Sequence, residues 1–220
     1  MRAWIRRVVA RAYQAAGINR ITGGRATPRT SANAELSAAG GTLRDRWRDL
    51  IRNNGYADRI METRVGGLVG TGHTPRPQCM LPGSAEAGQP TLDKALNARV
   101  LDLWKEFARD CDAESELDFD GLQTLIAHTW QGGGDCIVRR RRRPASDGFR
   151  VPLQLQVLEG DYLDDTKDGT ITESGNRIVL GKEYNKIGKL QAYWLYKSHP
   201  GDSTFFPGDS CQSVRVRADG

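Results

Sequence analysis

Five consecutive arginines, Arg139, Arg140, Arg141, Arg142 and Arg143, are the densest charge in the chain. Guanidinium groups bind phosphate through paired N–H donors, and proteins that neutralise several phosphates bind nucleic acid in a salt-dependent way. The run precedes Pro144 and a polar loop, so it equally suits an exposed hairpin end. Reading base edges would need a helix-turn-helix or a zinc finger to place these side chains, and neither signature is present. Arg6, Arg7 and Arg11 form a second basic group near the N-terminus.

The acids offer less chemistry. Glu159, Asp161, Asp164 and Asp165 lie at a strand end and in a polar loop, where carboxylates are expected to be solvated. Acid–base catalysis needs a nucleophile or a base held beside them, and none is evident, so a hydrolase built on Asp161, Asp164 or His199 is only a third reading. Asp110, Asp112, Glu114 and Glu116 alternate as in a calcium loop. The glycine and the terminal bidentate Glu of an EF-hand are missing, which leaves a solvated turn. Gly132, Gly133 and Gly134 follow a helix and precede a strand, with no Lys after them, which excludes a P-loop. Cys79, Cys111, Cys136 and Cys211 and His73, His128 and His199 are too scattered for a zinc site, and reduced thiols are the default. The residues therefore predict no enzyme, metal or cofactor.

Several elements must position these groups. Leu43, Trp47, Leu50 and Ile51 form one face of a helix that Thr42 and Asp45 would cap. Asn53, Asn54 and Gly55 break it, and a second helix carries Tyr56, Ile60 and Met61 inward. The glycines at 66, 67, 70 and 72 favour an extended segment, ended by Pro75 and Pro77. Helical stretches are thus expected within 42–67, 92–110 and 119–131. The second has Thr91 as N-cap and a stripe of Leu92, Leu96, Val100, Leu103, Trp104 and Phe107. The third turns Leu122, Leu125, Ile126 and Trp130 inward. Trp47 and Trp104 are expected to be largely buried. Strands occupy the chain from 135 onward: 136–138, 151–157, 177–184, 190–196 and 213–217. In 151–157, Val151, Leu153, Leu155 and Val157 face the core and Gln154 and Gln156 face away. The fold class is α+β, amphipathic helices packed on a mainly antiparallel sheet. Residues 1–41 read as a basic helix, 1–16, and a flexible arm, 17–41.

A chain of 220 residues can bury a real core, and 38% hydrophobic with 27% charged residues is a globular composition. No run reaches the roughly 18 apolar residues of a membrane helix, and Arg6, Arg7 and Arg11 interrupt any signal-peptide core, so no membrane partner is expected. Residues 1–78 hold 14 Arg against 5 acids, while the remainder is net acidic. A basic first third suits an acidic partner such as nucleic acid or an acidic protein surface, although arginine-rich codon usage accounts for it equally well.

DLIRNNGYADRIMETRVGGLVGTGHTPRPQ (49–78) resembles the N-terminal part of lambda-family phage portal proteins. SANAEL (31–36), LWKEFARDCDAESELDF (103–119), VPLQLQVLEGDYLDD (151–165) and AYWLYKSHPGD (192–202) resemble the same family in the same order. The triple glycine at 132–134 departs from an acidic turn in the family. The resemblance covers nearly all of this chain but only the front of the family's length, which implies a truncated wing region (42–220) without stem, clip or crown. It implies a non-enzymatic subunit of a ring, usually a dodecamer, at one capsid vertex of the virion, made in the bacterial host cytoplasm. DNA is packaged and ejected through that ring. The implied partners are further copies of the chain, terminase, head–tail connector, capsid and scaffold proteins, and double-stranded DNA. The rival reading is a small basic module that binds nucleic acid without sequence preference.

Overall fold

The computed structural model describes residues 20, 29–82, 91–202 and 212–218. The chain divides into two compact units, residues 1–35 and 36–220. Among the described residues, four helices, α1 (Ala32–Asn53), α2 (Gly55–Val69), α3 (Lys94–Asp110) and α4 (Phe119–Gly133), precede six strands. These are β1 (Cys136–Arg142), β2 (Leu153–Glu159), β3 (Arg177–Val179), β4 (Lys182–Tyr184), β5 (Leu190–Tyr196) and β6 (Ser213–Arg217). The strands form two antiparallel sheets, β1-β2 and β3-β4-β5-β6. The α+β class is as expected.

The first helix begins at Ala32, well before Thr42, so the capping box and the arm over 32–41 are both corrected. Ser31 Oγ accepts the N–H of Ala34 at 3.2 Å and Glu35 lies in the first turn. Ala32, Ala34, Ala38 and Ala39 then favour helix strongly enough to carry it through Gly40 and Gly41, each costing about 1 kcal/mol. The expected helix over 1–16, the arm except for Arg20 and 29–41, and Arg6, Arg7 and Arg11 lie outside the described residues.

Asn54 breaks α1 from α2 as expected, its side chain accepting the N–H groups of Tyr56 at 3.0 Å and Ala57 at 3.4 Å. The inward face of α2 is Ala57, Met61 and Val65, spaced four apart. Met61 is buried, but Tyr56 (86% exposed) and Ile60 face outward, contrary to expectation. Nor does the helix dissolve at Gly66: it runs to Val69 and ends at Gly70, φ 57°. Val65 and Val69 pack into the cluster of Met61 and Ala127, and that burial offsets the helix cost of the two glycines. Trp47 and Ile51 of α1 close the same cluster, while Leu43 and Leu50 stay exposed.

The stripe of α3 is half-buried at Val100, Leu103, Trp104 and Phe107 and exposed at Leu92 and Leu96. Trp104 meets Phe119 edge-on at 4.8 Å. Trp47 and Trp104 are largely buried, as expected, though neither is fully enclosed. Asp93, not Thr91, caps α3, accepting the Leu96 N–H at 2.9 Å. In α4 the buried residues are Leu122 and Ala127, while Leu125 and Trp130 are exposed.

The largest departure is in β2. Its enclosed positions are Gln154 (2% exposed) and Leu158, whereas Leu153, Leu155 and Val157 are half-buried on the other face. Residues 111–113 run along the free edge of β2, with Leu155 N–H donating to Cys111 O at 2.6 Å and Ala113 N–H to Leu155 O at 2.9 Å. That places the carbonyls of Asp110 and Asp112 in the interior, where they need donors. Gln154 Nε2 supplies them at 3.0 and 2.7 Å, so the amide goes inside. A second core, Leu158, Leu163 and Leu195 with Ile137, Tyr193 and Val216, joins the two sheets.

Candidate functional site

Strand β1 carries the arginines. It extends to Arg142 rather than stopping at Val138, paired antiparallel with β2 from Cys136↔Glu159 to Arg142↔Leu153. The side-chain period of two divides the run between faces. Arg140 and Arg142 are exposed, while Arg139, Arg141 and Arg143 are half-buried. Arg143 donates from Nε to Gln154 Oε1 at 2.7 Å and from Nη2 to Ala113 O at 3.5 Å, tying β1 to the 111–113 segment. Burial, helped by the neighbouring charge of Arg141, pulls the Arg139 guanidinium below its ordinary pKa. Four of the five arginines, Arg139–Arg142, thus lie on a two-sided strand, and Arg143 follows it.

The acids expected in solvent are mostly joints. Glu159 ends β2, and Asp161 lies in the 3-10 turn after it. Arg44 Nε donates to Asp161 Oδ1 at 2.8 Å, and Arg48 Nη2 bonds both Asp161 and, at 2.5 Å, Glu159. Burial would raise the Asp161 pKa, but the donors from Arg48 and Arg44 outweigh it and hold the group below the usual range. His199 Nε2 is 3.8 Å from Glu159 Oε2, and ligand atoms of Glu159, Asp161 and His199 all fall within 4.8 Å of one another. The spacing would suit a cation, but the Arg48 guanidinium already supplies that charge to both carboxylates. No helix among the described residues is long and apolar enough to cross a membrane.

Asp164 and Glu183 are more enclosed still. Asp164 accepts from Ser213, from Thr166 Oγ1 at 2.5 Å and from Tyr196 Oη at 2.9 Å, with Lys167 Nζ at 3.6 Å. Burial pushes the Tyr196 phenol up to about 12, with Asp164 adding to the shift. Glu183, 1% exposed, accepts two bonds from Arg215 at 2.7 and 3.0 Å. Asn176 donates to it at 2.7 Å and Trp194 at 3.3 Å. Both carboxylates are held below their ordinary pKa. For Glu183 the Arg215 bond is the largest cause; for Asp164 the hydroxyl donors overcome its burial. Asp165 is solvent-exposed, as expected.

The acidic run at 110–116 is not simply solvated either. Asp112 is buried and accepts the N–H groups of Glu114, Glu116 and Leu117 at 3.1, 3.0 and 3.0 Å. Cys111 is fully enclosed, and burial raises its thiol to about 11, which leaves it protonated. Local sequence carries no signal for these joints, because their partners lie far apart: Arg44 with Asp161, Gln154 with Asp110, Glu183 with Arg215.

Comparison with known proteins completes the site. The family described as phage portal protein, lambda family, matches residues 19–220. A probable portal protein of Halomonas phage phiHAP-1 is 30% identical over 182 residues, which is 81% of this chain and 33% of that relative. The chain therefore spans about a third of the length of the curated relative it matches. Matched across nearly its whole length, this chain belongs to the lambda family of phage portal proteins.

Proposed function

We propose that the chain is a structural subunit of the portal ring at the capsid vertex, forming part of the conduit through which DNA is packaged and ejected. The family match over residues 19–220 carries this reading. The chemistry of the acids agrees with it. Asp161, Asp164 and Glu183 each face arginine, lysine or hydroxyl donors that hold elements together. Residues 42–220 form part of the wing, and the tunnel, clip and crown belong to the rest of the longer protein. Its partners are further copies of itself, terminase, connector, capsid and scaffold proteins, and the passing duplex. Arg140 and Arg142, exposed on β1, and Arg6, Arg7 and Arg11 are the proposed contacts to phosphate or to an acidic partner.

The test is genetic. A stop codon early in the gene should leave heads that assemble without filling with DNA, and supplying the whole protein in trans should restore packaging. DNA-filled, infectious heads from the mutant would defeat the reading. Tight binding of duplex by a monomer, with packaging unaffected, would favour the basic-module reading instead.

A further inference from the structure

The four-stranded sheet ends in an isoleucine tip that the fold leaves bare. The β4–β5 turn is closed by Asn185 N–H to Lys189 O and Gly188 N–H to Asn185 O, both 3.0 Å. Asn185 Oδ1 also accepts the N–H groups of Ile187 at 3.1 Å and Lys189 at 2.8 Å. Gly188, φ 80°, occupies the left-handed position the turn requires. This rigid turn displays Ile187 at 85% exposure. Ile171, 74% exposed, bridges to Arg177, which pairs with Tyr184 at the foot of the same turn. A Cβ on Gly175 would lie 3.3 Å from Lys186 Cε, so the two turns stand side by side. Arg177, Lys186 and Lys189 flank the isoleucines, against one acid, Glu173, and all four are exposed. Two isoleucines held out by a preorganised turn and ringed by cations suit a mainly polar, acidic groove that offers a few apolar side chains.

The molecule has such a groove elsewhere. Two adjoining depressions of about 480 and 220 Å³ share Arg109, Asp110 and Phe149, with Phe107, Leu153 and Leu117 as apolar walls. Arg109 pairs with Asp110 at 2.8 Å, and Arg150 pairs with Glu106 and, at 3.3 Å, with Asp102. Glu116, Asp118 and Asp147 then remain as exposed acids with no cation bonded to them among the described residues. Asp112 ties three amides of the acidic loop, and Gln154 ties that loop to β2, so the walls are already in place. The groove lies at the Leu153 end of β2. The four-stranded sheet joins past Glu159, about 20 Å further along the strand.

We infer that the Ile187–Ile171 tip of one copy docks into the acidic groove around Phe149 of a second copy. The inference rests on the ring reading above and deepens it. A ring of identical subunits needs two different complementary faces on each, and tip and groove are different, oppositely charged and carried by separate sheets.

The experiment uses two differently tagged versions of the 220-residue chain with Cys79, Cys136 and Cys211 changed to Ser and the enclosed Cys111 kept. One carries Ile187→Cys and the other Glu116→Cys. Mixed and oxidised at high concentration, they should give a heterodimer, with little linkage between two Ile187→Cys copies. Lys186→Glu with Lys189→Glu should cut the yield about tenfold. A partner carrying Asp147→Lys should restore part of it. Equal linkage of Ile187→Cys copies to each other would mean a two-fold contact and overturn the inference. Self-association in the ultracentrifuge without the cross-link would also overturn it, while leaving the ring reading intact on another surface. Monomers without cross-links would sink the contact as well, and the packaging experiment would decide the ring separately.

Discussion

The indole of Trp47 lies against Gly132: a Cβ at that position would come within 2.5 Å of Trp47 Nε1. This is how α1, through one side chain, fits over the last turn of α4. Trp47 Nε1 is buried and has no hydrogen-bond partner among the described residues, so shape rather than polarity makes the contact.

Gly132→Ala should therefore destabilise by about 1–3 kcal/mol through overpacking, although alanine is the better helix former. Trp47→Ala should cost about 2–3 kcal/mol, less than for a fully enclosed Trp, and Trp47→Phe much less. Urea unfolding of the three variants checks the contact. Wild-type stability in Gly132→Ala would mean that the indole does not sit where described.

Gln154→Leu is a second test. A leucine would fit the apolar alternation of 151–157, yet it would strip donors from the carbonyls of Asp110 and Asp112 and an acceptor from Arg143. The expected loss is about 2–3 kcal/mol. A neutral or stabilising outcome in thermal melts would show that the amide is not needed there.

The pH dependence follows from Asp161, Asp164 and Glu183, whose pKa values are all lowered in the folded chain. Lowered carboxylates stabilise above their unfolded pKa, and that stability is lost as pH falls through the folded value. The ordinary values are 3.8 for Asp and 4.5 for Glu, so the melting temperature should hold from pH 7 to about 5 and drop below about 4. Glu183→Gln should be less stable at pH 7 and flatter on acidification. A wild-type curve with no acid limb would contradict these joints.

Duplex DNA binding by the chain, measured by fluorescence anisotropy, should weaken steeply between 50 and 200 mM salt, values set by the general behaviour of phosphate contacts, and show no sequence preference. Arg140→Ala with Arg142→Ala should lower the salt slope by about 0.9 per lost contact. Arg143→Ala should instead cost stability, because its guanidinium bonds Gln154 and Ala113. An unchanged slope in the Arg140 and Arg142 pair would remove β1 from the list of phosphate contacts.

The amino-acid sequence by itself determined the family, the α+β class, the Asn54 corner and the positions of most strands. These depend on local words, on periodicity and on residues such as Asn and Gly that terminate elements through their own backbone preferences. It did not determine which side of an element faces inward. Tertiary structure decided that Ala57 and Val65, not Tyr56 and Ile60, are buried, and that Val65 and Val69 carry α2 through its glycines. It also turned Gln154 inside and divided Arg139–Arg142 between two faces of β1. The reason is common to all of these. Burial and hydrogen bonding are satisfied by partners as far as a hundred residues away, as Arg44 and Asp161 are, and an apolar pattern does not report where an interior carbonyl or carboxylate needs a donor.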